Sequence, residues 1–184
     1  MTAVNIALVH HPVVNKNGDV IGSAVTNLDL HDIARAAKTF GVENYFVTTP
    51  YEEQQQLVQE IVGHWQSGYG AEYNPARKQA LSIVQLAESL DAAIEELTKR
   101  YSERPLIITT SAKLHQNTVG YDVLRERIAS GSPVLLIFGT AHGLAPEVME
   151  AADAVLPPIL GGTDYNHLSV RSAVAIILDR LLGT

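Results

Sequence analysis

The sequence predicts an α/β fold, with a mostly parallel sheet covered by helices on both faces. Two patterns lead there. Strand-length apolar runs (Val4–Val9, Leu106–Thr109, Val134–Phe138) recur between segments of helical periodicity, and within them polar and apolar residues do not alternate. Strands that are apolar throughout belong between two helical layers, the setting of a parallel sheet. The 184 residues, 46% hydrophobic and 18% charged, suffice for one ordinary domain with a full core. No internal repeat, low-complexity stretch or linker interrupts them, so residues 1–184 are expected to form a single domain.

The elements follow in order. Val4–Val9 is a strand, and the polar stretch Asn15–Gly18 after it is a turn. Leu30–Phe40 is a helix, because Ile33, Ala36, Ala37 and Phe40 recur at helical spacing, with Asp29 as N-cap and Gly41 as the stop. Tyr45–Thr48 is a strand closed by Pro50. Glu52–Val62 is a helix with Leu57, Ile61 and Val62 inward. Ser67–Tyr73, with two glycines and two tyrosines, breaks the pattern. Asn74-Pro75, cap and first helical residue, starts a long helix reaching Tyr101 through Leu81, Val84, Leu90, Ile94 and Leu97. The remainder reads as strand Leu106–Thr109, helix Tyr121–Ile128, strand Val134–Phe138, helix Pro146–Ala151, strand Ala154–Leu156, a loop rich in proline and glycine, and helix Val170–Leu182.

Composition narrows the functions. There is no cysteine, hence no disulfide framework or thiolate metal site. No basic leader and no apolar run of roughly 18–20 residues is present, so a soluble, cytoplasmic protein is expected. The formal net charge of −7 speaks against a nucleic-acid partner unless cations gather in one groove. The seven histidines lack HxxxH spacing and paired carboxylates, which disfavours a metal centre. Neither a Walker loop nor a Rossmann fingerprint occurs, and no GxSxG elbow supports a serine hydrolase. Asp164, His167 and Ser169 lie close enough in sequence to leave a triad as a minor alternative.

In open parallel sheets, ligands bind beyond the carboxyl ends of the strands. Three such ends carry small or glycine-rich loops: Thr109–Lys113, Gly139–Leu144 and Pro157–Ser169. Taken singly, such a loop is more often an ordinary turn than a ligand site. Together they offer backbone that a ligand can approach closely.

Two stretches resemble the SPOUT (SpoU–TrmD) family of RNA methyltransferases. Thr26–Val42, TNLDLHDIARAAKTFGV, is similar to the family's N-terminal motif, an asparagine-containing turn that starts a helix, an arginine within it, and a closing FGV. Val134–Arg180 is similar to the C-terminal motifs through LLIFGTAHGL, AADAVLPPIL and NHLSVRSAVAIILDR. Only Tyr51–Glu103 matches no motif, and the overall pattern resembles a poorly characterised branch related to TrmD. One position departs: Ala141 stands where many relatives carry glutamate.

The resemblance implies a parallel sheet with a C-terminal trefoil knot, an S-adenosylmethionine (SAM) pocket in the knot loops, and a homodimer acting on RNA (tRNA or rRNA, at a base or a ribose 2′-hydroxyl). Carried over, cofactor contacts come from Thr109, Thr110 and Ser111. They continue through Phe138, Gly139, Thr140, His142, Gly143 and Leu144, and finish with Ile159, Leu160, Gly161, Gly162 and Leu168. Arg35 takes the place of the motif arginine. It stays protonated well above neutral pH, so its role is to bind a phosphate and stabilise an alkoxide rather than to act as base. Asn166 and Ser169 either orient the acceptor or cap the last helix. Asp164 is a further carboxylate of open role. Tyr69–Tyr73, followed by Arg77 and Lys78, either stacks RNA bases or packs locally. Two alternatives remain: a catalytically silent SAM-binding module, and a small-molecule methyltransferase.

Overall fold

The computed structural model describes residues 3–184. At its centre β1 (Val4–Val9) lies between β4 (Asn44–Thr48) and β7 (Val134–Gly139). Outside β4 is β5 (Val84–Ala87), and outside β7 are β6 (Leu106–Thr109) and then β8 (Ala154–Val155). All five pairings are parallel. Every residue of β1 is buried, the reason its sequence does not alternate. Ile6 and Leu8 join the core layer that holds α1 (Asn27–Thr39), α6 (Tyr121–Ala129) and α8 (Val170–Leu182). Ala7 and Val9 join the opposite layer, with α5 (Leu90–Tyr101) and α7 (Pro146–Ala151). The one polar residue of β1 is satisfied across the sheet: Asn5 donates to the Val134 carbonyl (3.2 Å), and its Oδ1 accepts from Asn44 Nδ2 (2.6 Å).

Four local expectations change. The cap of α1 is Thr26, whose hydroxyl accepts from the Asp29 amide at 3.2 Å; Asp29 itself sits in the first turn, drawn away by a tertiary ion pair. In α2 (Glu52–Gln66) the buried residue is Val58, whereas Leu57 is exposed. The Ser67–Tyr73 break contains one turn of helix, α3 (Tyr69–Tyr73). The long helix from Pro75 to Tyr101 is two helices, α4 (Pro75–Leu81) and α5, separated by β5. Ile83 and Val84 are β-branched, and Ser89 caps α5 through the Ala92 amide (3.1 Å), so pairing of β5 with β4 overrides the helical spacing.

After β1 the chain forms a small antiparallel hairpin, β2 (Val13–Val14) and β3 (Val20–Ile21), around the predicted turn. Asn15 Oδ1 accepts from the amides of Asn17 and Asp19, and Gly18 takes φ +86°, which favours glycine. The hairpin then clamps the loop after β7. The Val14 amide donates to the Gly143 carbonyl (2.9 Å), the His142 amide to Val14 (3.0 Å) and the Ala145 amide to Pro12 (3.2 Å).

At the far edge the end of β8 is held from two sides. The Leu156 amide donates to the Thr109 carbonyl at the end of β6, while the Val119 amide donates to Val155 and the Val155 amide to Asn117. The loop between β6 and α6 thus folds around the end of β8 before the chain continues into α8.

Candidate active site

The sheet order reverses at β1 and β7, where Val9 lies beside Gly139, so the switch point falls at His10 and Thr140, just past the two strand ends. Thr140 Oγ1 donates to the Val9 carbonyl (3.0 Å) and meets the Ser23 hydroxyl; the Ser23 amide donates to the His10 carbonyl (2.7 Å). His10 is fully buried, and neither ring nitrogen has a well-formed hydrogen bond, although the Leu8 and Thr48 carbonyls approach the ring. Burial lowers its pKa; the negative charge of Asp29 and these carbonyls oppose the shift. The imidazole is therefore neutral at pH 7.

The predicted cofactor residues divide by what their side chains do. Thr109 and Phe138 are buried and Leu144 nearly so; their side chains belong to the interior, leaving only backbone for a ligand. Thr110 donates its hydroxyl to the Ile137 carbonyl (3.0 Å), and Ser111 lies 3.0 Å from His115 Nε2. Gly139 has no room for a side chain: a Cβ would lie 2.9 Å from the Leu144 nitrogen and 3.1 Å from the Gly143 carbonyl carbon. Gly143 takes φ +117° with open space where a Cβ would point. Between them Ala141 holds φ +53°, a left-handed conformation that costs a non-glycine residue of order 1 kcal/mol. His142 is exposed, Ile159 half-buried, and Leu160, Gly161, Gly162 and Leu168 line an exposed loop. A tight glycine turn beside open backbone at the strand ends fits a nucleoside-bearing cofactor.

Of the predicted catalytic residues, Arg35 and Ser169 are brought together. They line an open groove of about 430 Å³ between α1 and α8, with Asp32, Thr39, Arg171 and Ser172. Ser169 caps α8, its Oγ accepting from the Ser172 amide at 3.2 Å. Asn166 does not cap; its Nδ2 donates to the Ala112 carbonyl (2.9 Å), tying the loop before α8 to the loop after β6. Among the described residues, Asp164, His167 and Ser169 make no hydrogen bonds to one another, and His167 packs edge-on against Tyr165, so no triad is assembled. No group of histidines and carboxylates that could hold a metal ion occurs among the described residues.

Arg171 carries a structural load that sequence reasoning did not assign. Its guanidinium lies 2.7 Å from Asp29 and 3.5 Å from Asp32, joining the first turns of α1 and α8. Arg35 differs: its side chain is 59% exposed with only a loose contact to Asp32 at 3.7 Å, so it is available to a ligand. The one sequence signal for Arg171 was its place two residues after the cap Ser169.

The fold is that of SPOUT-class methyltransferases. A probable methyltransferase of Bordetella pertussis Tohama I superposes with TM-score 0.64 at 14% identity, covering 98% of this chain and 94% of that one. The SpoU methyltransferase AviRb of Streptomyces viridochromogenes gives 0.59 at 14% identity, covering 97% and 58%. Within that class the chain belongs to the SAM-dependent RNA methyltransferase family, whose model matches residues 3–183. It is 48% identical over 177 residues to a protein of Oleidesulfovibrio alaskensis named tRNA (guanine-N(1)-)-methyltransferase, covering 96% of this chain but 41% of that relative. A Nitratidesulfovibrio vulgaris protein of the same name gives 47% identity with the same 41% coverage. An uncharacterized Aquifex aeolicus protein is 43% identical over 98% of this chain and 88% of its own length. This chain thus spans less than half of the two relatives that carry an activity in their names.

Proposed function

We propose that the chain, as a single domain acting in a cytoplasmic homodimer, transfers a methyl group from SAM to tRNA. The observation that carries this reading is the groove between α1 and α8. There Arg35, exposed and loosely paired, faces Ser169 beside the loops of the SAM-dependent family fold. Transfer RNA is chosen over other RNA because this sequence recurs within longer relatives named for tRNA methylation. Their named guanine-N1 activity belongs to proteins more than twice as long, so this domain's own acceptor is left as a base or a ribose hydroxyl.

When bound, SAM supplies an electrophilic methyl on a sulfonium. The residues that would hold it are Thr110 and Ser111, the turn from Gly139 through Leu144, and Ile159–Gly162 with Leu168. Among these, Gly143 and Gly162 leave open space at their backbone. Arg35 grips a phosphate next to the acceptor and stabilises negative charge developing on it. Arg171, neutralised by two aspartates, fixes the angle between α1 and α8 rather than reaching the RNA. The looped strand end at Val155 supports the C-terminal trefoil knot. Leu28 on α1 and Leu160, Tyr165 and Leu168 before α8 are large side chains exposed in a single chain, which supports their burial in a dimer.

The test is transfer of labelled methyl from SAM to total tRNA. Wild type should label tRNA, and Arg35→Ala should lower kcat by roughly 10²-fold or more, the scale of losing one stabilising donor, while SAM affinity by calorimetry stays unchanged. SAM binding without labelling of any RNA would refute the RNA substrate.

A further inference from the structure

We infer that α3 and the helices on either side of it form a platform for unpaired RNA bases, with Tyr69 and Tyr73 as the stacking surface. This rests on the RNA reading above and adds a second, separate contact to it. Tyr69 and Tyr73, one turn apart, are each 74% exposed, and their rings stack on each other with centroids 6.1 Å apart and planes 24° apart. Local packing, the ordinary fate of such tyrosines, has not buried them.

The segment is anchored from below. Gly70 is buried, and a Cβ there would lie 2.7 Å from the Trp65 ring and 2.9 Å from His64 Nε2. The backbone of α3 therefore sits directly on Trp65, which holds the tyrosines outward. A preformed aromatic face of this kind suits sequence-tolerant stacking, because every base has a π-face and little ordering entropy remains to be lost.

Cations and connection to the groove support the same occupant. Arg77 on α4 lies over the Trp65 ring at 5.3 Å, and its guanidinium donates to His31 Nδ1 at 3.0 Å. His31 is on α1, one turn before Arg35. Burial and the Arg77 charge lower the His31 pKa, consistent with a neutral ring accepting that bond. Lys78 beside Arg77 is exposed. In a chain of net charge −7, the tyrosine pair, with Glu72 between the two residues in sequence, is followed by the exposed Lys78, and Arg77 ties the segment to α1 through His31. A single-stranded RNA segment fits this face, with bases on the rings and a phosphate on Lys78.

The test uses the full chain carrying Tyr69→Ala and Tyr73→Ala together, with Tyr69→Phe/Tyr73→Phe as control. Two readouts are taken: KM and kcat for tRNA methylation, and the Kd of a fluorescent single-stranded RNA oligonucleotide. The alanine pair should keep the wild-type melting temperature and SAM affinity, raise oligonucleotide Kd and tRNA KM by roughly tenfold, and leave kcat unchanged. The phenylalanine pair should behave as wild type. An oligonucleotide Kd within twofold of wild type in the alanine pair, as expected if this face docks a protein instead, would overturn the inference. So would an equal loss toward blunt duplex RNA, or failure of the wild type to bind the oligonucleotide. If wild type binds it and the alanine pair does not, yet no RNA is methylated, the platform stands and the methyl-transfer reading falls.

Discussion

Replacing Asp29 by asparagine should loosen the junction of α1 and α8 by an amount the geometry sets. Asp29 and Arg171 are 2.7 Å apart with side chains 12% and 34% exposed, between the two regimes for which ion-pair energies are known. Two charges 4 Å apart attract by about 4 kcal/mol at an effective dielectric of 20 and about 1 kcal/mol in water. Exposed pairs contribute about 0–1 kcal/mol, and breaking a fully buried pair costs about 3–5 kcal/mol. With Asp29 nearly enclosed and Arg171 a third in solvent, Asp29→Asn should cost about 2 kcal/mol. Asp32, 3.5 Å from Arg171 and half-exposed, recovers about 0.5 kcal/mol of that. The assay is a double-mutant cycle by urea unfolding, with Asp29→Asn, Arg171→Met and both together. It should return a coupling of about 1–2 kcal/mol, and Asp32→Asn alone should cost under about 0.5 kcal/mol. A coupling below about 0.3 kcal/mol would show that the pair forms without holding the helices, and the assigned role of Arg171 would fail.

Three further outcomes follow from other parts of the structure. Gly139→Ala forces a Cβ against the Leu144 and Gly143 backbone; it should cost about 1–3 kcal/mol and weaken SAM binding by calorimetry at least tenfold, so unchanged affinity would exclude this turn from the cofactor site. His10 is neutral when folded, with its pKa lowered by burial. Above pH 6.5 it adds nothing to the pH dependence. Below pH 6.5 the unfolded chain takes up a proton that the native chain refuses, so stability falls by up to about 1.4 kcal/mol per pH unit until the native ring protonates. His31 adds in the same direction. His10→Gln should therefore flatten urea-unfolding stability between pH 6.5 and 5, and an identical slope would contradict a buried neutral imidazole. Leu28→Lys with Leu168→Lys should turn a dimer into a monomer in sedimentation equilibrium; a dimer unchanged by both would place the interface elsewhere.

Much of this architecture was legible because local and tertiary preferences agree. Helix α8 runs over the predicted residues, since Ser169 caps it and its apolar stripe meets the sheet. Strand β5 was hidden because its residues are mostly half-exposed and lie between two helical stretches, so their spacing also suits a helix. The β2–β3 hairpin was hidden for a related reason. Its strands are two residues each and gain their order from pairing with the loop after β7, which local sequence does not display. Within the site, family resemblance brought forward Arg35 and Ser169, which share a groove. The Asp29–Arg171 bond joins residues 142 positions apart, and no local pattern announces such a pair. Phe138 shows the converse, since a strand-end residue beside a glycine turn was assigned to a ligand while its side chain fills the core.

The clamp between the hairpin and the turn after β7 makes the two move as one body. The segment leaving β1 carries His10 and Ser23 on one side and holds Val14 against His142 and Gly143 on the other. A ligand that shifts the turn must also move or strain the hairpin, because three backbone bonds join them. Binding free energy at either site is then partly shared, and by thermodynamic linkage the sharing is equal in both directions. Under the proposed function, anything that binds the hairpin would change cofactor affinity by the same factor by which cofactor changes the affinity of that binder, making the hairpin a mechanical reporter of the turn.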